Sequence, residues 1–471
     1  MATNKRKIRK AERPVALHTV LMEDTEKGKA WLGSGDPLWR VLAAGVIALV
    51  VAMGIGRFAY APVLPSMQAR FGLSNAAVGA LASSNYLGYL GGALLAAFVP
   101  PGRARAALLR ASLWTVAAST ILMGLTADFS AWFILRLVAG VAGAGVFVLG
   151  SAAVLEEVSR RGRPGLSGVL YSGPGIGIAL TGLVVLPLNA LLAGEVAAWR
   201  AGWLVLGVLG LVLVFPCLAW LPSGGSRRNP DGPGDGPLLA ENEAGPASLT
   251  AAGASARAGA ALALALLGLA YFLEGIGYIV TGTFLPAIVE GLPGLGGLGA
   301  GAWVLVGIAA VPCTVLWGVI AARTGAVAAI GSALALQAFG ILLPALSSAW
   351  WAAAGSAVLF GGTFTGITAM TLTHARGLAQ DVAGASGGGL TIGLLTAIYG
   401  VGQVLGPLLA AHTAGKSGGF GSALFAASGA VALGASLMPA VALAGVIGSK
   451  EANVCANGAE RGKERANGPK D

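Results

Sequence analysis

The chain has 471 residues, of which 56% are hydrophobic and only 11% charged, and its mean hydropathy is +0.78. A soluble protein carries about 25% charged residues, and long soluble chains divide into domains that each keep a polar skin. The composition therefore excludes a soluble globular protein and points to lipid as the main solvent. The net charge of +10 and the run Lys5-Arg6-Lys7-Ile8-Arg9-Lys10 have the form of a nuclear-localisation signal, but basic residues beside a membrane span are explained by topology, and no nucleic-acid partner is expected.

Cysteine and histidine exclude little but offer no site. Cys217 and Cys313 lie in apolar runs, Cys455 lies in the tail, and His18, His374 and His412 are far apart, so no metal and no cofactor are expected. No cleavable signal peptide is expected either, because the first long apolar stretch starts near Leu38 and reads as a full span. The 75 glycines suit membrane helices, whose backbones pack closely where residues are small.

A spanning helix needs about 20 predominantly apolar residues. Twelve such stretches predict an all-α integral membrane protein, at 38–65, 74–98, 105–126, 129–155, 165–193, 200–221, 259–288, 300–322, 325–346, 350–373, 386–412 and 420–447. They group into a basic tail (1–37), an N-terminal six-helix bundle (38–222), a polar linker (223–258), a C-terminal six-helix bundle (259–448) and a second tail (449–471). The linker mixes Arg227, Arg228, Asp231, Asp235, Glu241 and Glu243 with Gly, Pro and Ser, a flexible composition.

Lysine and arginine set the orientation. With the amino terminus inside, only Arg70, Arg200 and Lys416 of the 30 basic residues fall in outer loops, and Arg57 and Arg136 fall within spans. All others lie on the cytoplasmic side. The expected location is a plasma (inner) membrane, with both termini cytoplasmic.

The halves echo one another. Gly54-Ile55-Gly56-Arg57, reaching Leu64-Pro65, recurs as Gly275-Ile276-Gly277-Tyr278, reaching Leu285-Pro286. Helix five, Gly173-Pro174-Gly175-Ile176-Gly177, is echoed in helix eleven by Gly402-Gln403-Val404-Leu405-Gly406. Both echoes join helices of the same direction, so the halves are parallel repeats, an architecture of transporters with a binding site between the halves.

Twelve helices in two parallel sixes resemble the major facilitator superfamily, and local motifs add to the likeness. Arg136 to Gly140 is similar to its helix-four RxxxG element, which implies proton coupling. Gly173, Pro174 and Gly177 resemble the antiporter motif of drug/proton exchangers, with Ile178 where a second glycine is usual. Gly318, Arg323 and Gly325 resemble the cytoplasmic GxxxDRxG loop, although Ala322 replaces its aspartate. Gly54 to Pro65, Ser84 to Gly91, Phe360-Gly-Gly-Thr-Phe364 and Gly402-Gln403 look like the YbfB/YjiJ-type branch. The resemblance implies a secondary transporter that works by alternating access, acts on a small molecule, functions as a monomer and draws on the proton gradient.

Intramembrane ionisable residues are functional candidates by default, and three are present: Arg57, Arg136 and Glu274. At 1.5 Å per residue, they lie about 12, 10 and 18 Å below the outer helix ends. The resemblance implies that helices one, four, seven and ten line a central cavity, which would gather all three around one space. Arg57 and Arg136 are then candidates to attract an anionic substrate, since guanidinium presents a planar fork to carboxylate or phosphate. Glu274 is the candidate proton carrier. Two structural readings stand beside these: an ion pair of Glu274 with Arg57, and hydrogen bonds from Arg136 to neighbouring carbonyls.

Tyr60, Asn85, Tyr86, Tyr89, Tyr271, Tyr278 and Gln403 are polar candidates for the cavity wall, or equally for helix packing. Gly173, Pro174 and Gly177 read as a kink or as a hinge. Glu156 and Glu157 with Arg160, Arg161 and Arg163 read as a solvated cytoplasmic cluster. Two GxSG patterns, at Gly165 and Gly384, have no histidine at matching depth, so an intramembrane protease is not expected. A channel would show a repeated polar ring, which is missing, whereas a sensor on a transporter fold fits the same sequence. Direction stays open: the helix-five motif leans to export, and the basic cavity suits uptake of an organic anion with protons.

Overall fold

The computed structural model describes residues 37–100, 102–192, 197–221, 251–383, 387–417 and 419–445, and over these the chain is helical with no strand. The two tails and most of the linker lie outside the described residues. Twelve membrane-length helical units follow: α1 (Leu38–Phe71), α2 (Asn75–Ala97), α3 (Arg103–Leu125), α4 (Phe129–Arg160), α5 (Ser167–Leu191) and α6 (Ala198–Trp220) form the first half. The second half comprises α7 (Ala251–Glu290), α8 (Gly299–Ala310 with Cys313–Thr324), α9 (Ala326–Leu346), α10 (Trp350–Gly361 with Phe364–Ala383), α11 (Gly387–Ser417) and α12 (Gly421–Gly445).

Each predicted span has its helix, with corrections at the ends. Helix α1 runs six residues past Pro65, which lies inside it, so Arg57 is about 9 Å deeper than the sequence estimate. Helix α7 begins at Ala251 rather than 259, which shortens the linker. Helix α8 is bent by 44° between its two segments, where Pro312 supplies no N–H to the ladder. Helix α2 is 23 residues long, enough to cross a bilayer, and Ser83, Ser84, Asn85 and Tyr86 give it a polar centre whose side chains are buried.

Local chemistry sets the turns. Gly72, at φ +59°, ends α1, and Ser74 caps α2 by accepting from the Ala77 N–H at 3.2 Å. A Cβ on Gly72 meets no atom, so Gly72→Ala isolates the cost of the left-handed backbone. We expect a loss of about 1 kcal/mol, read as a small fall in thermal midpoint. Asp128 caps α4 through the Ala131 N–H at 2.7 Å. Glu290, at the end of α7, accepts from the N–H groups of Gly297 (2.5 Å) and Gly299 (3.1 Å) and so caps the start of α8.

Glycine lets the helices meet backbone to backbone. A Cβ on Gly140 of α4 would collide with the Asn85 carbonyl of α2, and one on Gly54 of α1 would collide with Gly177 of α5. In the second half, Gly402 of α11 lies against Phe272 and Ile276 of α7, and Gly406 against Ile276. The α1–α5 contact of one half is thus repeated as α7–α11 in the other, as the sequence echo requires. Gly175 and Gly182 of α5 lie on the backbone of α8 at Val311 and Ala300. Gly79 of α2 lies on Pro407 of α11. These two pairings join the halves.

Outward positions such as Leu183, Val208, Val212, Ile308 and Phe339 are more than half exposed, an apolar surface that only lipid satisfies. The largest buried core runs through both halves and includes Phe58, Tyr86, Tyr278, Phe284, Trp303 and Phe360.

Candidate functional site

Among the described residues, Arg57, Arg136 and Glu274 are the only charged side chains that are buried. Arg136 binds the backbone of Arg57, whereas Glu274 makes no ion pair with either arginine. Each has its own setting, and helix α1 decides two of them.

Residues Val50–Phe58 of α1 form a π-helix, in which each N–H reaches the carbonyl five residues back instead of four. The helix returns to α pairing at Tyr60, and that return leaves one carbonyl without a donor. Pro62, which has no N–H, leaves another. Arg136 donates to two carbonyls of this turn, its Nη1 to Gly56 and its Nη2 to Arg57, each at 3.2 Å. Its guanidinium also lies 4.8 Å from the centre of the Tyr60 ring. Asn85 donates to the Arg136 carbonyl at 2.9 Å, and the Tyr60 hydroxyl donates to the Val78 carbonyl at 3.0 Å. Arg136, Tyr60 and Asn85 therefore brace α1, α2 and α4 against one another. The carbonyl reading of Arg136 matches this geometry.

Arg57 faces the other half. Its Nη2 donates to Gln403 Oε1 of α11 at 2.7 Å and to the Tyr278 hydroxyl of α7 at 3.4 Å. Its guanidinium lies over Tyr89 (4.4 Å) and Tyr86 (4.9 Å) of α2, and its Nε has no partner. Gln403 Nε2 donates to the Tyr278 hydroxyl at 2.7 Å, and the Tyr86 hydroxyl pairs with Thr283 Oγ1 of α7 at 3.0 Å. The 221-residue echo placed Arg57 and Tyr278 at equivalent positions of the two halves, and here they touch.

A slab of near-parallel rings backs this contact. Tyr271 and Tyr399 stack at 4.1 Å with 6° between planes. Tyr399 and Tyr278 follow at 5.5 Å and 9°, and Tyr278 and Phe364 at 6.1 Å and 9°. Phe360 lies 5.3 Å from Phe364, so both phenylalanines of the Phe360–Phe364 motif belong to the slab. Tyr399 fits beside α7 because Gly275 has no side chain; a Cβ there would come 2.8 Å from the Tyr399 carbonyl and 3.0 Å from its ring.

Glu274 stands at the far edge of the slab, fully enclosed. It forms no ion pair with Arg57, which corrects that structural reading. Neither carboxyl oxygen makes a hydrogen bond of full geometry. The polar side chains that approach it are Gln337 of α9 and Tyr399 of α11. Neither was singled out in the sequence, although a glutamine in the apolar run of α9 and a tyrosine one turn before Gln403 were visible signals.

The remaining motif residues lie away from this centre. Gly173 and Gly177 seat α5 on α1, at Val46 and Gly54, and Pro174 starts the helical segment Gly173–Leu191. Gly325, at φ +90°, ends α8 and starts α9, with Arg323 exposed in the last turn and Gly318 open to its surroundings. The equivalent loop of the first half also turns on a glycine, Gly102 at φ +97°, and Arg105 there closes α2 by donating to the Val99 carbonyl at 2.9 Å. Glu157 pairs with Arg160 (2.6 Å) and Arg161 (2.5 Å) at the C-terminal end of α4, three members of the charge cluster expected there.

Known proteins fit this architecture. The family model described as "Uncharacterised MFS-type transporter YbfB" matches residues 49–439. Among solved structures, the nucleoside transporter NupG aligns with a TM-score of 0.61 at 13% identity, over 88% of this chain and 99% of its own. A bacterial homolog of the human lysosomal transporter Spinster, in an inward-facing and unoccupied conformation, aligns with a TM-score of 0.55 at 18% identity, over 90% and 98%. These two likenesses are of fold. No curated protein matches the chain. With the family model spanning most of both halves, the chain belongs to the YbfB-type family of the major facilitator superfamily, whose members are secondary transporters and not enzymes.

Proposed function

We propose that the protein is a proton-coupled transporter of small organic anions with a flat, conjugated part, that Arg57 is the anion contact and that Glu274 is the proton carrier. The observation that carries this reading is Arg57 itself: a buried guanidinium at the seam of the halves, held by one glutamine and two tyrosine rings, with no carboxylate beside it. A permanent buried cation without a counter-ion is costly, and an arriving anion offsets that cost. The wall beside Arg57 is aromatic, with Tyr278, Tyr399 and Phe364 near-parallel, and an aromatic wall suits a flat conjugated group. Tyr86, Tyr89, Tyr271 and Gln403 complete the wall, whereas Tyr60 and Asn85 support it from behind.

For direction we favour export, since the glycines of the helix-five motif weld α5 to both α1 and α8 and resemble those of proton-driven exporters. Proton-coupled uptake is the second reading, favoured by the excess of positive charge at Arg57. The protein is placed in the plasma (inner) membrane with both termini cytoplasmic, on its charge asymmetry, and is taken to work as a monomer. A reporter fused after Asp471 that fluoresces only in the cytoplasm should be bright in cells; a dark fusion overturns the orientation.

The substrate class is tested by thermal stabilisation of the purified protein with phthalate, benzenesulfonate, succinate, uridine and tetraphenylphosphonium. Phthalate or benzenesulfonate should stabilise the native protein and lose that effect in Arg57→Gln. Stabilisation by tetraphenylphosphonium alone, or by uridine without any anion, overturns the anion reading. Counterflow of the stabilising compound in proteoliposomes then separates a transporter from a sensor.

A further inference from the structure

Helices α8 and α10 are both interrupted, for different reasons. In α8 the cause is covalent: Pro312 has no N–H, and the helix bends by 44° there. Helix α10 stops at Gly361 and restarts at Phe364, yet no proline lies between Trp350 and Ala383. Gly361, Gly362 and Gly366 weaken the helix without barring it. The break in α10 is therefore held from outside, and the hydrogen bonds show how. The ladder runs normally to Gly362, whose N–H reaches the Val358 carbonyl at 2.8 Å, and resumes where the Ile367 N–H reaches the Thr363 carbonyl at 2.9 Å. A continuous helix would join the Gly366 N–H to the Gly362 carbonyl. Both groups turn to α8 instead. The Gly366 N–H donates to Cys313 Sγ at 3.2 Å, and the Gly362 carbonyl accepts from Trp317 Nε1 at 2.7 Å.

Cys313 and Trp317 lie one turn apart at the start of the segment that follows the α8 bend, and both side chains are buried. The indole fits because residue 366 is glycine; a Cβ there would collide with the Trp317 ring. The Thr363 hydroxyl donates to carbonyls on the near side of the break, Leu359 at 2.7 Å and Phe360 at 3.1 Å. The N-terminal segments of the two helices are locked separately, since Gly361 lies on the Val306 backbone. The break also borders the aromatic slab. Phe360 precedes it and Phe364 follows it, with Phe364 near-parallel to Tyr278 at 6.1 Å and edge-on to Phe58, the neighbour of Arg57, at 6.3 Å.

We propose that α10 carries a two-state break, paired to α8 through Cys313 and Trp317 in one state and closed by Gly366 onto Gly362 in the other. The same backbone donor and acceptor serve both states. Closing gains one backbone hydrogen bond and gives up two contacts, one of them to sulfur, which is a weak acceptor, so the exchange is close to balanced. It resets the angle of Phe364–Ala383 against Trp350–Gly361 and releases that segment from the segment of α8 beside it. Phe364, the first residue of the released segment, carries the change to Tyr278 and Phe58. The switch goes beyond the roles given to Arg57 and Glu274 and stands without them.

The test needs no transported substrate. Purified full-length protein with 5-fluorotryptophan at its 11 tryptophans is placed in lipid nanodiscs and read by fluorine NMR. The resonance that Trp317→Phe removes belongs to Trp317. Gly366→Ala, whose methyl displaces the indole, marks the position of the released state. The native protein should show the Trp317 signal divided between a bound position and the released one, or at their exchange average. Cys313→Ala removes the sulfur that holds the Gly366 N–H and should raise the released share about threefold, the low end for one net hydrogen bond because sulfur accepts weakly. Cys313→Ser keeps an acceptor and should stay near the native share. Should Gly366→Ala fail to fold, the contrast between Cys313→Ala and Cys313→Ser decides alone. A Trp317 signal that is the same in the native protein and in Cys313→Ala means a static break and overturns the switch. Equal changes in Cys313→Ala and Cys313→Ser, or displacement of the other tryptophan resonances along with that of Trp317, overturn it as well and leave Cys313 a packing residue.

Discussion

Arg136→Ala should destabilise the protein by about 2 kcal/mol or more, because it strips the donors from two buried carbonyls of α1 at once. The Gly56 and Arg57 carbonyls lie where the π-helical turn ends, and Pro62, five residues past Arg57, has no N–H to offer the Arg57 carbonyl in place of the guanidinium. The loss is read from two reporters already in the chain. Cys217 and Cys313 are buried and free, and with Cys455 replaced by serine a thiol-reactive fluorophore will label them as the helices separate on heating. Arg136→Lys should recover little, since an ammonium is a compact point charge and not a fork that spans two carbonyls. A variant that keeps native stability but loses proton-driven transport would instead assign Arg136 the proton-coupling role that its resemblance to RxxxG implies.

This pair of outcomes marks where the sequence stopped being readable. Twelve spans follow from hydropathy, because lipid demands that backbone polar groups pair within each segment. The repeat follows from glycines whose positions are set by backbone contact, as at Gly54 with Gly177 and Gly406 with Ile276. The buried charges were visible for the same reason: Arg57, Arg136 and Glu274 interrupt apolar runs. Their partners were not. The π-helical turn has no sequence period of its own, so nothing announced that α1 would leave carbonyls for Arg136 to satisfy. Depth measured along single helices put the two arginines at similar levels and Glu274 deeper, but it carries no information on which way a side chain points around its helix. Tyr399 was not singled out in the sequence, and only the contact with Gly275 shows how its ring comes to lie against α7.

Glu274→Gln should abolish proton-driven accumulation while leaving exchange of substrate across the membrane intact. The glutamine keeps the shape of the carboxyl and cannot take up or release a proton. Its surroundings are polar enough to receive it, since Gln337 and Tyr399 both approach the position. Folding should therefore survive, as judged by the labelling of Cys217 and Cys313. Burying a carboxylate with no cation beside it is costly, and Glu274 is fully enclosed with neither oxygen in a hydrogen bond of full geometry. Such a carboxyl is held for a reason other than stability. In proteoliposomes loaded with a trapped pH-sensitive dye, the native protein should move protons when the anion identified by thermal stabilisation is added, and Glu274→Gln should not. Counterflow, which needs no net proton movement, should continue in the variant. Unchanged proton movement in Glu274→Gln would remove the carboxyl from the coupling mechanism. Loss of both proton movement and counterflow with folding intact would make Glu274 part of the substrate path itself.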